Sequence, residues 1–222
     1  AEEGIVQGTG PYRAVSLTTD SEMELVKNEN YWNGEPKIDK ITVRTISDGD
    51  TLTMALQSGE IDAAYGMPYA SYPLFENDNY TFTSCETSRV FFGAMNFESP
   101  VTSDPAVRKA IAMGIDKEGF VETLLGGNGY PAAGVYPDNV SFGGDVVSAE
   151  SYDPEGAKQV LEEAGWVDTD GDGIREKDGT SLVLRWLTYP SRQEQPLLAE
   201  SAQATLGEIG FQVEINNTAD HN

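Results

Sequence analysis

The sequence predicts an α/β protein, with helices packed on mixed sheets, and three observations carry that expectation. Segments that alternate apolar and polar residues recur along the 222 residues, as in "FQVEI" at 211–215. Between them stand stretches whose apolar residues repeat at helical spacing, most cleanly "YDPEGAKQVLEEAGW" at 152–166. Helix punctuation also falls where helices need it, with Asp and Pro at the openings and Gly at the ends.

Taken in order, "GTGPYRAVSL" and "EMELVKN" read as two strands around the polar turn "TTDS". "KITVRTI" follows as a strand with Ile41 and Val43 on one face. "DGDTLTMALQSGE" then gives a short helix capped by Asp48 or Asp50, with Leu52, Ala55, Leu56 and Gly59 at helical spacing, and "IDAAYG" reads as the next strand. That strand, helix, strand order predicts a right-handed crossover in a mixed sheet. After "MPYASYPLF", the segments "YTFTSCE" and "RVFFGAMNF" read as strands, the second apolar on both faces and therefore central.

Asp104 and Pro105 open a helix striped by Val107, Ala110, Ile111, Gly114 and Ile115. Asp116 caps a second, which is expected to bury Phe120, Leu124 and Leu125 before "GGNG" stops it. "YPAAGVYPDNVSFGG" is a long loop. The helix from Asp153 carries Ala157, Val160, Leu161 and Ala164 and ends at Gly165. The acidic loop "DTDGDGIREKDG" at 168–179 follows, then the strand "LVLRWLTY", a helix through "QPLLAESAQATLGEIG" with Leu198, Ala202, Leu206 and Ile209 on one side, and the strand "FQVEI". The chain stops soon afterwards, at "NTADHN", which leaves an α/β fold looking unfinished.

Composition narrows the function classes. A formal charge of −23 repels nucleic acid and anionic membrane surfaces, and suits solubility in a salty or crowded environment. No apolar run approaches the roughly 20 residues of a membrane span, and the opening "AEEGIVQGTG" has no signal-peptide pattern. Cys85 is the single cysteine, so no internal disulfide forms; it is expected to be a buried, inert thiol on a strand. The sole histidine, His221, is next to last, which all but removes a Ser-His-Asp or Cys-His arrangement. There is no Walker loop and no GxGxxG after a strand. The chain is therefore not expected to be an enzyme, a hydrolase being the weaker alternative.

The acidic loop is the one stretch that suggests a metal. Asp168, Asp170 and Asp172 alternate ahead of Gly173 like the start of a calcium loop, and Glu176 or Asp178 could add a carboxylate. In an EF-hand read from Asp168, however, the last ligand position holds Gly179 in place of a bidentate Glu. A calcium-binding structural or adhesion module stays open here as an alternative, while no cofactor is required.

Several stretches, in this order, resemble the extracellular solute-binding proteins of peptide and nickel ABC transporters, family 5. They are "GTGPYR", "NENYWNGEPKIDKITVRTI", "ALQSGEIDAAYG", "FFGAMNF", "DPAVRKAIAMGIDKEGFVETLLGG", "YDPEGAKQVLEEAGW" and "DGDGIREKDG". The "MALQSGEIDAAYG" stretch leans toward the nickel-binding subgroup. The resemblance implies a periplasmic-binding-protein-like fold, type II and cluster C-like. It also implies an internal fragment, with residues 1–75 part of the first lobe and 76–222 the first part of the second ligand-binding lobe. In the full-length protein it implies a small peptide or a nickel chelate as ligand, an ABC permease as partner, and a place outside the cytoplasm, periplasmic or lipid-anchored. On this reading Tyr65 and Gly66 lie on the hinge side and Asn96 is the candidate cleft-facing polar residue, while "DGDG" and "KDG" serve as tight turns.

Overall fold

A computed structural model describes residues 8–142, 149–190 and 194–218. The chain divides into two compact units, Ala1–Met67 and Pro68–Asn222.

In the first unit, β1 (Tyr12–Thr18), β2 (Glu22–Lys27) and β3 (Lys40–Arg44) form an antiparallel sheet in that order. Its register sorts the side chains. Leu17, Met23 and Val43 align in one row, and Ala14, Leu25 and Ile41 in the next, so one face is apolar. A bulge between Ala14 and Ser16 keeps Ala14 and Leu17 on that face although they are three residues apart. The opposite face is polar, with Lys40 paired to Glu24 across the strands. Helix α1 (Gly49–Ser58) begins at Asp48, whose carboxylate accepts from the Thr51 N–H at 2.8 Å and the Thr51 hydroxyl at 2.6 Å. It ends at Gly59, whose φ of 74° is open to glycine, and Glu60 N–H closes back on the Ala55 carbonyl.

The crossover does not form, because "IDAAYG" is not a strand. Asp62 and Ala63 are exposed and have little to bury, and Ala and Asp are weak strand formers unless a neighbour pairs with them.

The second unit opens with a 3-10 turn, Tyr69–Leu74, and a small aromatic cluster: Tyr72 meets Phe82 at 4.8 Å and Phe75 meets Tyr80 at 4.9 Å between ring centroids. Two expected strands are then corrected. Residues 80–86 and 89–97 run without a ladder, since no strand among the described residues pairs with them. Phe92 and Phe97 are exposed accordingly, the latter under the Arg108 guanidinium at 4.3 Å. Cys85, expected to be buried, is exposed for the same reason.

Helix α2 (Pro105–Gly114) is as the caps predict. The next helix is shorter than expected. One α turn, α3 (Lys117–Gly119), runs into a π turn, Phe120–Leu124, and of the three residues expected in the core only Leu125 is buried, with Phe120 and Leu124 partly so. Helix α4 (Pro154–Glu163) starts at Asp153, which accepts from Gly156 N–H at 2.9 Å. Then come the two-residue strands β4 (Glu176–Lys177) and β5 (Thr180–Ser181). Strand β6 (Val183–Thr188), helix α5 (Glu194–Gly207) and strand β7 (Gln212–Asn217) make a β-α-β unit whose strands pair in parallel. One core joins these elements: Val107, Ala110 and Ile111 from α2, Ala157 and Leu161 from α4, Ala202 and Leu206 from α5, with Trp166, Leu182, Ile209, Phe211 and Val213. The α2–α5 approach needs Gly114, where a Cβ would sit 2.6 Å from Ile209 Cδ1 and 2.9 Å from Leu206 Cδ2.

Candidate functional site

The acidic loop is where the structure brings predicted site residues together. Carboxylate oxygens of Asp168, Asp170 and Glu176 lie within 4.8 Å of one another, close enough to surround one ion; Asp172 and Asp178 stand outside that group. The oxygens are already engaged by the chain itself. Asp168 Oδ1 accepts from Gly171 N–H at 2.7 Å and Oδ2 from Gly173 N–H at 3.0 Å. Asp170 accepts from Asp172 N–H at 3.2 Å, and Asp172 from Ile174 N–H at 2.8 Å. Glu176 accepts from Thr169 N–H at 2.7 Å and from the Thr169 hydroxyl. These are the side-chain-to-backbone bonds that fold Asp-rich turns without a metal. Asp178 and Gly179, with φ of 50° and 78°, make the tight turn of the β4–β5 hairpin.

An open concavity of about 620 Å³ lies beside the loop, lined in part by Glu162, Asp168, Arg175, Glu208 and Gly210. Its cation is committed to the scaffold. Arg175 donates to the Ile209 carbonyl at 3.0 Å, the Trp166 carbonyl at 2.9 Å and Glu162 at 2.9 Å. Gly210 leaves the room for this, since a Cβ there would meet Arg175 Cγ at 2.6 Å. Arg175 therefore ties α4, the acidic loop and the end of α5 together rather than presenting a free fork to a ligand.

The other predicted positions are simply placed. Tyr65 is 98% exposed and Gly66 has a φ of 75°, both in the first unit. Asn96, in the second, is exposed; its side-chain oxygen accepts from Glu98 N–H at 3.0 Å and its carbonyl from the Thr102 hydroxyl at 2.5 Å. His221 lies outside the described residues.

Sequence reasoning saw Asp104 only as a helix cap. In the structure it also accepts from Trp166 Nε1 and from Lys177 Nζ, each at 3.0 Å, besides the Ala106 N–H at 2.9 Å. Burial alone would raise its carboxyl pKa. The Trp166 bond, the Ala106 N–H and the Lys177 ammonium together outweigh that and hold it below the usual carboxylate range. No spacing in the sequence could announce partners 62 and 73 residues away.

The β-α-β unit and its helical cover define a fragment of the type II periplasmic-binding-protein fold. Residues 2–222 match the family described as Bacterial extracellular solute-binding proteins, family 5 Middle, and the chain belongs to that family. It is 30% identical over 213 residues to the nickel-binding periplasmic protein of Escherichia coli K12, covering 94% of this chain and 41% of that protein. Its identity with the oligopeptide-binding protein AppA of Bacillus subtilis 168 is 31% over 215 residues, 93% of this chain and 38% of the relative. The crystal structure of NikA from Brucella suis in complex with Fe(III)-EDTA superposes with a TM-score of 0.82 at 29% identity, covering 96% of this chain and 44% of that one. The chain thus spans about two fifths of the length of these relatives. They are extracytoplasmic solute-binding proteins, and no helix among the described residues is long and apolar enough to cross a membrane.

Proposed function

We propose that this chain is part of the substrate-binding component of an ABC importer, one that captures a nickel chelate or a short peptide and delivers it to a membrane permease. No bond is made or broken; capture is by hinge closure of two lobes over the solute. The lobe assignment of residues 1–75 and 76–222, and ligand-facing roles for Tyr65, Gly66 and Asn96, are part of the same proposal. The single observation that carries it is the family match along residues 2–222. Both solute classes stay within the proposal, because the TM-score of 0.70 to the AppA–nonapeptide complex falls between those of two nickel-protein structures, 0.82 and 0.66.

Calorimetry with nickel plus histidine and with a peptide library, on a protein of the relatives' full length that carries this chain, tests the reading. Micromolar or tighter binding of one class is expected, about −8 kcal/mol. The chain by itself is expected to bind no better than about millimolar, because it supplies only some of the contacts that surround the solute. Saturable binding of neither class by the longer protein would sink the proposal.

A further inference from the structure

The charge of this chain has a consequence for its folding that is separate from solute capture. Against 37 acidic residues stand 14 Lys and Arg, and seven of those cations are held in ion pairs among the described residues. Lys27 holds both Glu35 and Asp39, Lys40 holds Glu24, Arg44 holds Glu60, Lys109 holds Glu150, Lys158 holds Glu155, Arg175 holds Glu162 and Lys177 holds Asp104. Arg108 donates to the carbonyls of Thr102 and Ser103 and lies over Phe97, so it neutralises no carboxylate. What remains is a surface of exposed carboxylates, among them Asp62, Glu76, Asp78, Glu98, Glu118 and Glu122, without a cation or a hydrogen-bond donor among the described residues.

We propose that the folded state of this chain depends on ionic strength, with monovalent salt stabilising it by screening repulsion among these carboxylates rather than by filling a site. A net charge this far from zero works against any compact state. At 0.1 M salt the screening length is about 10 Å, so neighbouring carboxylates still feel one another, whereas at 1 M it is about 3 Å and most of that repulsion is gone.

The test is thermal unfolding of the whole chain, followed by circular dichroism, from 0.05 to 2 M KCl and again in tetramethylammonium chloride. Tm is expected to rise by about 10 °C or more in both salts, since each 1 kcal/mol moves Tm by about 2–4 °C in a chain of this size. A variant carrying Asp62→Asn, Glu76→Gln, Asp78→Asn, Glu98→Gln, Glu118→Gln and Glu122→Gln should start from a higher Tm at low salt. Its salt increment should be roughly half that of the parent, because self-repulsion grows about as the square of the net charge. The comparison of increments removes any general salting effect, which both proteins share. A Tm that is flat across the series, a chain unfolded throughout it, an unchanged increment in the variant, or a rise confined to one cation would each overturn the proposal.

Discussion

The two units use the same alternating and striped sequence patterns and reach different degrees of burial. In the second, α5 packs on β6 and β7 while α2 packs on α4 and α5, and Leu161, Leu182 and Leu206 lose all contact with solvent. In the first, the sheet sorts its side chains as cleanly, yet Leu17 and Val43 on the apolar face remain 46% and 44% exposed. Alternation is enough to make a strand pair, but a core needs an element on the other side of the pleat. The second unit has that element within its own residues.

The sharpest way to break this comparison is a matched pair of truncations. Leu206→Ala removes a fully buried side chain between α5 and its neighbours and should cost about 3–4 kcal/mol. Leu25→Ala, on the half-open face of β2, should cost only about 1 kcal/mol. Urea unfolding read at Trp166 for the second unit and at Trp32 for the first measures both. Equal losses would mean that the β1–β3 face is covered in solution.

Next in size is Asp104→Ala, which strips a helix cap and orphans the Trp166 N–H and the Lys177 ammonium, for about 2–3 kcal/mol. Its pH signature follows from the direction of the shift. A carboxyl held low in the folded state contributes fully above its unfolded pKa, near pH 4, and loses that contribution as the pH falls through the lower folded value. The stability gap between parent and Asp104→Asn should therefore be flat at neutral pH and close below about pH 4. A gap that persists unchanged at pH 2 would assign the residue a purely steric role.

Gly114→Ala comes third, at about 1–3 kcal/mol, because the new Cβ has to displace Ile209 and Leu206, both buried in the same core. A neutral or stabilising result would show that α2 and α5 can separate without loss, contrary to a tightly packed second unit.

These residues also show what the sequence could reveal. The caps at Asp104 and Asp153, and that at Asp48 as one of two candidates with Asp50, were legible because an N-cap bond spans only two or three residues. The strands expected at 80–86 and 89–97 were misread for the opposite reason: a ladder is a property of two segments, and composition describes only one. The burial expected for Cys85 failed with them. At the acidic loop, residue types and turn character were both legible, while the convergence of Asp168, Asp170 and Glu176 depended on Glu176 returning along β4 to bridge Val167. Asp104, as a meeting point for Trp166 and Lys177, was invisible because its partners arrive from other elements.

The smallest expected effect is that of calcium. Asp168, Asp170 and Glu176 converge, but each carboxylate already satisfies backbone N–H groups of the loop, and Gly179 stands where an EF-hand would close with a bidentate Glu. An ion held here would compete with those bonds and keep part of its water, which places the expected affinity no tighter than about 0.1–1 mM, the range of weak extracellular modules. At 0.1 mM calcium on metal-stripped protein, stability should then rise by no more than about 0.4 kcal/mol, and Tm by no more than about 2 °C. Asp168→Ala should still cost about 1 kcal/mol without calcium, because the N–H groups of Gly171 and Gly173 lose their acceptor. Sub-micromolar binding by calorimetry, abolished in Asp168→Ala, would show instead that the second unit is organised around an ion and not by its own turns.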